Sequence, residues 1–105
     1  MNRPTVYATL AETPIAVGSG PGRVGSIYAR NSNATLAYVK LYESTAAPGG
    51  SAVPCWAGPV PQGSFSFPSL NIDGASFWVV ASTDFGAGLT APAAPLQVSV
   101  TFERA

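Results

Sequence analysis

Leu96-Gln97-Val98-Ser99-Val100-Thr101-Phe102-Glu103 alternates apolar and polar residues over its whole length. Side chains of an extended chain point to opposite faces in turn, so this stretch is a strand with one face for a core and one for water. Leu36 to Glu43 repeats the pattern: Ala37, Val39 and Leu41 face inward, and Tyr38, Lys40 and Tyr42 stand outward. Ser64 to Phe67 alternates again and puts Phe65 and Phe67 on one side. Ser76 to Ser82 differs, because Phe77, Val79 and Ala81 oppose Trp78 and Val80, and a strand apolar on both faces is either central to the fold or covered by something else.

Shorter strands are expected at Thr5 to Leu10 (with Val6 as an anchor), Ser26 to Arg30 and Val53 to Ala57, the last ended by Gly58-Pro59. The chain has 11 glycines and 10 prolines, which punctuate it every ten residues or so and leave no window for a helix. Gly18 to Gly25 and Val60-Pro61-Gln62-Gly63 read as turns, and Ser44 to Ser51 and Gly86 to Pro95 as long soft loops. The expected fold is a single all-β domain over residues 1–105: one antiparallel β-sandwich, jelly-roll or immunoglobulin-like, of about seven or eight short strands with little or no helix. Residues 1–22 are an N-terminal strand or an arm reaching a neighbour.

Composition narrows function by exclusion. Hydrophobic residues make up 47% of the chain, enough for one core, yet no apolar run approaches the ~20 residues that cross a bilayer. Charged residues are only 10%, five basic against five acidic, where ~25% is usual. They are scattered, so no basic patch for nucleic acid or an anionic membrane is expected. No leader is evident behind Met1-Asn2-Arg3-Pro4, and the lone Cys55 fits synthesis in a reducing cytoplasm. Cys55 itself is expected to be a small buried residue. The Asn33-Ala34-Thr35 sequon is expected to be coincidental.

The chain has no histidine, and its carboxylates, Glu43 and Asp84 among them, share no motif; no catalytic residue, metal site or cofactor is expected. Gly20-Pro21-Gly22-Arg23-Val24-Gly25 fits G-x-G-x-x-G, but a strand follows it where a dinucleotide site needs a helix. The aromatic residues carry more. Tyr38, Lys40, Tyr42, Trp78 and Val80 are the candidate contact surface, with Trp78 open to being core, interface or ligand platform. Trp56 is the candidate for stacking on a sugar ring.

From Ile27 to Phe102 the order of features has a likeness: Tyr38-Val39-Lys40-Leu41-Tyr42, the Ala-Pro-Gly-Gly loop, Val53-Pro54, the Val60-Pro61-Gln62-Gly63 turn, Phe77-Trp78-Val79-Val80-Ala81 and the alternating last strand. This resembles small β-sandwich virion structural proteins of tailed bacteriophages, of the capsid-decoration or head-fibre type. The resemblance implies a non-enzymatic virion component made in the host cytoplasm. It would bind the major capsid protein or other virion proteins, or copies of itself as a homo-oligomer, with a trimer the expected form. The alternative is a carbohydrate-binding module or adhesin tip that contacts host glycans through exposed aromatics.

Overall fold

The computed structural model describes residues 5–10 (as backbone), 14–18, 20–49, 52–84 and 90–104. Among them run nine strands and no helix: β1 (Thr5–Leu10), β2 (Ile15–Val17), β3 (Gly22–Asn31), β4 (Ala37–Glu43), β5 (Trp56–Val60), β6 (Gly63–Phe67), β7 (Ile72–Gly74), β8 (Phe77–Ser82) and β9 (Leu96–Arg104). One sheet has the order β1-β9-β3-β6, with β7 also on β3; the other has the order β2-β8-β4-β5. All pairings are antiparallel. The first and last strands are neighbours, and most connections cross from one sheet to the other. This is the jelly roll, one of the two sandwich types expected. β6 and β7 lie end to end along β3, on Ile27–Asn31 and Gly22–Val24 respectively, so nine strands fill eight positions.

The alternating faces meet between the sheets. Val24, Ile27 and Ala29 of β3 and Leu96, Val98, Val100 and Phe102 of β9 pack against Val17, Ala37, Val39, Leu41, Val60, Phe77, Val79 and Ala81. Each of these side chains is essentially dry, and burying one the size of Val or Leu stabilises the fold by roughly 1.5–3 kcal/mol. Gly18, at φ +63°, passes so close to Phe102 that a Cβ there would stand 2.3 Å from its ring, so both the backbone sign and the ring require glycine.

Several expected boundaries move. β5 begins at Trp56 and runs through Gly58-Pro59, the pair expected to end it. Edge position permits this, because Pro59 pairs with Tyr38 on one side and needs no donor on the other. The second half of the glycine-rich segment is strand, since β3 starts at Gly22 and skips one residue between Val24 and Ser26, a bulge at Gly25. Ile15–Val17 and Ile72–Gly74 are further strands, each of three residues. Cys55 is exposed, contrary to its expected burial, because it precedes β5 at the sheet edge. Thr5–Leu10 is a strand of this chain's own sheet, paired with β9; the Val6 side chain and residues 85–89 of the expected loop lie outside the described residues.

A buried amide pair holds one end of the sandwich. Asn31 points inward at the end of β3; its Nδ2 donates to Val60 O in the opposite sheet (2.8 Å) and to Thr35 O (3.1 Å). Its Oδ1 accepts from the backbone N and from Nδ2 of Asn33, both at 2.8 Å. Asn33 in turn donates to Ala94 O (2.8 Å) and accepts from Ala94 N (2.7 Å), as a strand neighbour would. With its amide occupied and its surface 8% exposed, Asn33 of the sequon is structural in the folded chain. Asn31→Ala strands four hydrogen bonds in a dry site, so urea unfolding should show a loss of about 2–4 kcal/mol. A loss below about 1 kcal/mol would mean that the network is incidental.

Candidate interaction surfaces

The sequence places Tyr38, Lys40 and Tyr42 of β4 and Trp78 and Val80 of β8 on the outer face of their sheet. They are there, with Tyr42 opposite Trp78 and Lys40 opposite Val80. The expectation that this face is open fails: Val80 and Lys40 are 0% exposed and Tyr42 is 1% exposed, while Tyr38 and Trp78 are half-buried. The cover comes from this same chain. Ser44, leaving β4, turns back so that its carbonyl accepts from Trp78 Nε1 (3.2 Å) and Ser76 Oγ (2.6 Å). Cys55 returns at the far end of that loop, donating its N–H to Leu41 O. On β8, buried Ser82 Oγ accepts from the backbone N of Asp84 (3.0 Å) and Thr90 (3.1 Å), which ties the described ends of the next segment to the same side.

Burial sets the electrostatics of this face. Removal from water pushes Lys40 below its ordinary pKa, because the ammonium loses hydration; the negative charge of Asp84 offsets part of that. Burial pushes the Tyr42 phenol above its usual value. The Tyr42 Oη has no hydrogen-bond partner among the described residues. Cys55 is likewise raised, by desolvation of the sulfur and then by Glu43, so the thiol form is held at neutral pH and the residue is a poor nucleophile.

Trp56, expected to stack on a sugar, is instead half-buried against the core. Its ring meets Phe67 edge to face at 5.0 Å and lies over Gly58, where a Cβ would come within 2.4 Å of Cη2. Phe65 follows at 6.0 Å from Phe67 and is 42% exposed. These three rings close the side of the sandwich where β5 and β6, the edges of the two sheets, come together.

The open surface is the outer face of the other sheet, which the candidate residues did not include. Tyr28 stands at its centre, 47% exposed, with Ser66 of β6 on one side and Ser99 of β9 on the other. Ser26 Oγ bonds Thr101 Oγ1 at 3.1 Å, and Arg30 lies between Ser64 and Gln97. At one end Arg23 Nε donates to Asp73 Oδ1 at 2.8 Å; this hydrogen bond raises Arg23 and lowers Asp73. Beside it Ser69 and Asn71 both take positive φ in the turn from β6 to β7, which lines a shallow polar hollow with Arg23, Ser26 and Thr101.

Three of the four described carboxylates serve local structure. Glu43 accepts from Ala75 N, Asp73 holds Arg23, and Asp84 accepts from Thr90 Oγ1. No cluster of three His, Cys, Asp or Glu able to hold a metal occurs among the described residues. No helix among them is long and apolar enough to cross a membrane. No family model, curated protein or solved structure matches the chain.

An unpartnered hydroxyl in a dry site costs the fold more than a phenyl ring does, so Tyr42→Phe should raise stability in urea by about 1 kcal/mol at pH 7. The variant should also lose the fall in wild-type stability above pH 10.0, where the raised phenol keeps in the folded state a proton that the unfolded chain releases. A less stable Tyr42→Phe would mean that Oη has a partner.

Proposed function

We propose that the protein is a non-enzymatic subunit of a larger assembly, a virion structural protein of the capsid-decoration or head-fibre kind found in tailed bacteriophages. The observation that carries the reading is the distribution of surface. The outer side chains of the doubly apolar sheet are buried within the chain, while an uncharged edge strand, β6, is exposed with Phe65 on it. Such a subunit meets its partners over flat surfaces and strand edges, and jelly rolls are a common building block of shells, although a fold alone does not assign a role. Partners of this reading are the major capsid protein, other virion proteins and further copies of the chain. An antiserum raised against the purified protein should label tailed particles released by the producing cells, at many copies per particle. Label confined to the cells, with released particles bare, would overturn the assignment.

One observation favours a second reading, a carbohydrate-binding module or adhesin tip. Tyr28 offers an exposed ring on a flat face of Ser, Thr, Gln and Arg side chains, the mixture of stacking surface and hydroxyl partners that saccharides use. Tyr28 thereby takes the place that the sequence suggested for Trp56. On a glycan array this reading expects a bound saccharide whose signal falls about tenfold or more with Tyr28→Ala and persists with Trp56→Phe. An array without signal would remove it.

A further inference from the structure

The sheets are bordered by β1, β2, β5 and the position that β6 and β7 share, and these borders are not equally protected; β1 also lacks proline and charge, but its side chains lie outside the described residues. β5 carries Pro59, which cannot donate to an added strand. β7 carries Asp73, held by Arg23, at the far end of the β3 edge. β2 has three residues. β6, Gly63-Ser64-Phe65-Ser66-Phe67, has none of these devices: no proline, no charge and no bulge in its register with β3. Gly63, Ser64, Phe65 and Ser66 are all exposed, and Phe67 half so. A flat, neutral, aromatic edge of this kind presents unpaired N–H and C=O groups as a template for another strand.

We propose that β6 pairs antiparallel with β6 of a second copy of this chain, about a twofold axis beside Phe65. This goes beyond the functional reading above and does not rest on it. The strand is complementary to itself. With all five residues overlapped, Phe65 faces its own copy, Ser64 faces Ser66, and Gly63 leaves room for Phe67. On one face the Ser64 and Ser66 hydroxyls meet across the junction, flanked on β3 by Arg30 and Tyr28. On the other face the rings of Phe65, Phe67 and Trp56 from the two copies form one aromatic row and cover the exposed 42% of Phe65. A second copy, rather than a chain of other chemistry, fits for a further reason. The edge carries no charge and the protein no net charge, so two identical chains meet without repulsion. The resulting sheet is continuous across the axis, and the unit is a dimer in place of the trimer expected from the sequence.

A five-residue strand pair is a small interface, so the association is concentration-dependent. Light scattering on a dilution series should show the 10.7 kDa mass doubling as concentration rises. Phe65→Lys and Ser66→Pro should each weaken the dimer by about tenfold or more, with circular dichroism and melting showing the variants folded. The register is tested separately in a Cys55→Ser background. Residues facing each other across an antiparallel pair lie within disulfide reach, so Phe65→Cys should oxidise to a linked dimer much faster than Val53→Cys, which is 81% exposed but away from β6. A wild-type chain that stays monomeric, a Phe65→Lys protein that dimerises like wild type, or equal oxidation of the two cysteine variants would each overturn the proposal.

Discussion

The structure depends on one constraint: the β2-β8-β4-β5 sheet is apolar on both faces and must be kept dry on both. Its inner face is satisfied by the opposite sheet, through Val39, Leu41, Val79 and Ala81. Its outer face, with Val80, Tyr42 and the stem of Lys40, has no second sheet to meet. These side chains are nevertheless buried within the chain, and the described ends of the segments that leave β4 and β8 are anchored beside them by backbone groups: Ser44 O under Trp78, and the N–H groups of Asp84 and Thr90 on Ser82. The cover is achieved at a cost, visible as a lysine pushed below its ordinary pKa and a phenol without a partner among the described residues. Burial of polar groups is tolerated because the alternative is a large wet apolar sheet face.

That solution decides what remains for contact with anything else. The loops consume the aromatic face of β4 and β8, and the Asn31–Asn33 network consumes the polar groups at one end of the sandwich. The surface left over has two characters. The outer face of the β1-β9-β3-β6 sheet is hydroxyl-rich around Tyr28, and its β6 border carries exposed Phe65 and has no further strand partner among the described residues. With so little charge on the molecule, the border is where association is least opposed.

The sequence made the long strands legible because they carry the period-two signal themselves: β9, β4 and β8 lie where alternation puts them, and the apolar halves form the core. It did not reveal β2 and β7, because three residues are too few for a period. It misplaced the start of β5, because Gly58-Pro59 is a breaker in a central strand and harmless at an edge, and edge position is a tertiary fact. The outward direction of Lys40 and Tyr42 was legible in the same alternation; their burial was not. Which face of a sheet a loop returns to depends on where Ser44 and Ser82 sit in three dimensions, and nothing in Ser-Thr-Ala-Ala-Pro-Gly-Gly records it. The packing of Trp56 was illegible for a similar reason. Its ring is held by Gly58 and Phe67, one from its own strand and one from the other sheet.

The bare edge of β6 contrasts with the guards on β5 and β7. The same chain places a proline on β5 and a charge on β7, the second of these on the same side of β3 and only a turn away from β6. The turn that separates the guarded from the unguarded half of the β3 edge holds Ser69 and Asn71 in left-handed backbone, a conformation that costs energy for non-glycine residues and persists only where the surroundings impose it. The edge is thus divided in two by a strained turn, with an ion pair on one side and a bare aromatic strand on the other. A border shaped in that way is better explained as a surface meant to be covered than as an exposed end left over from folding.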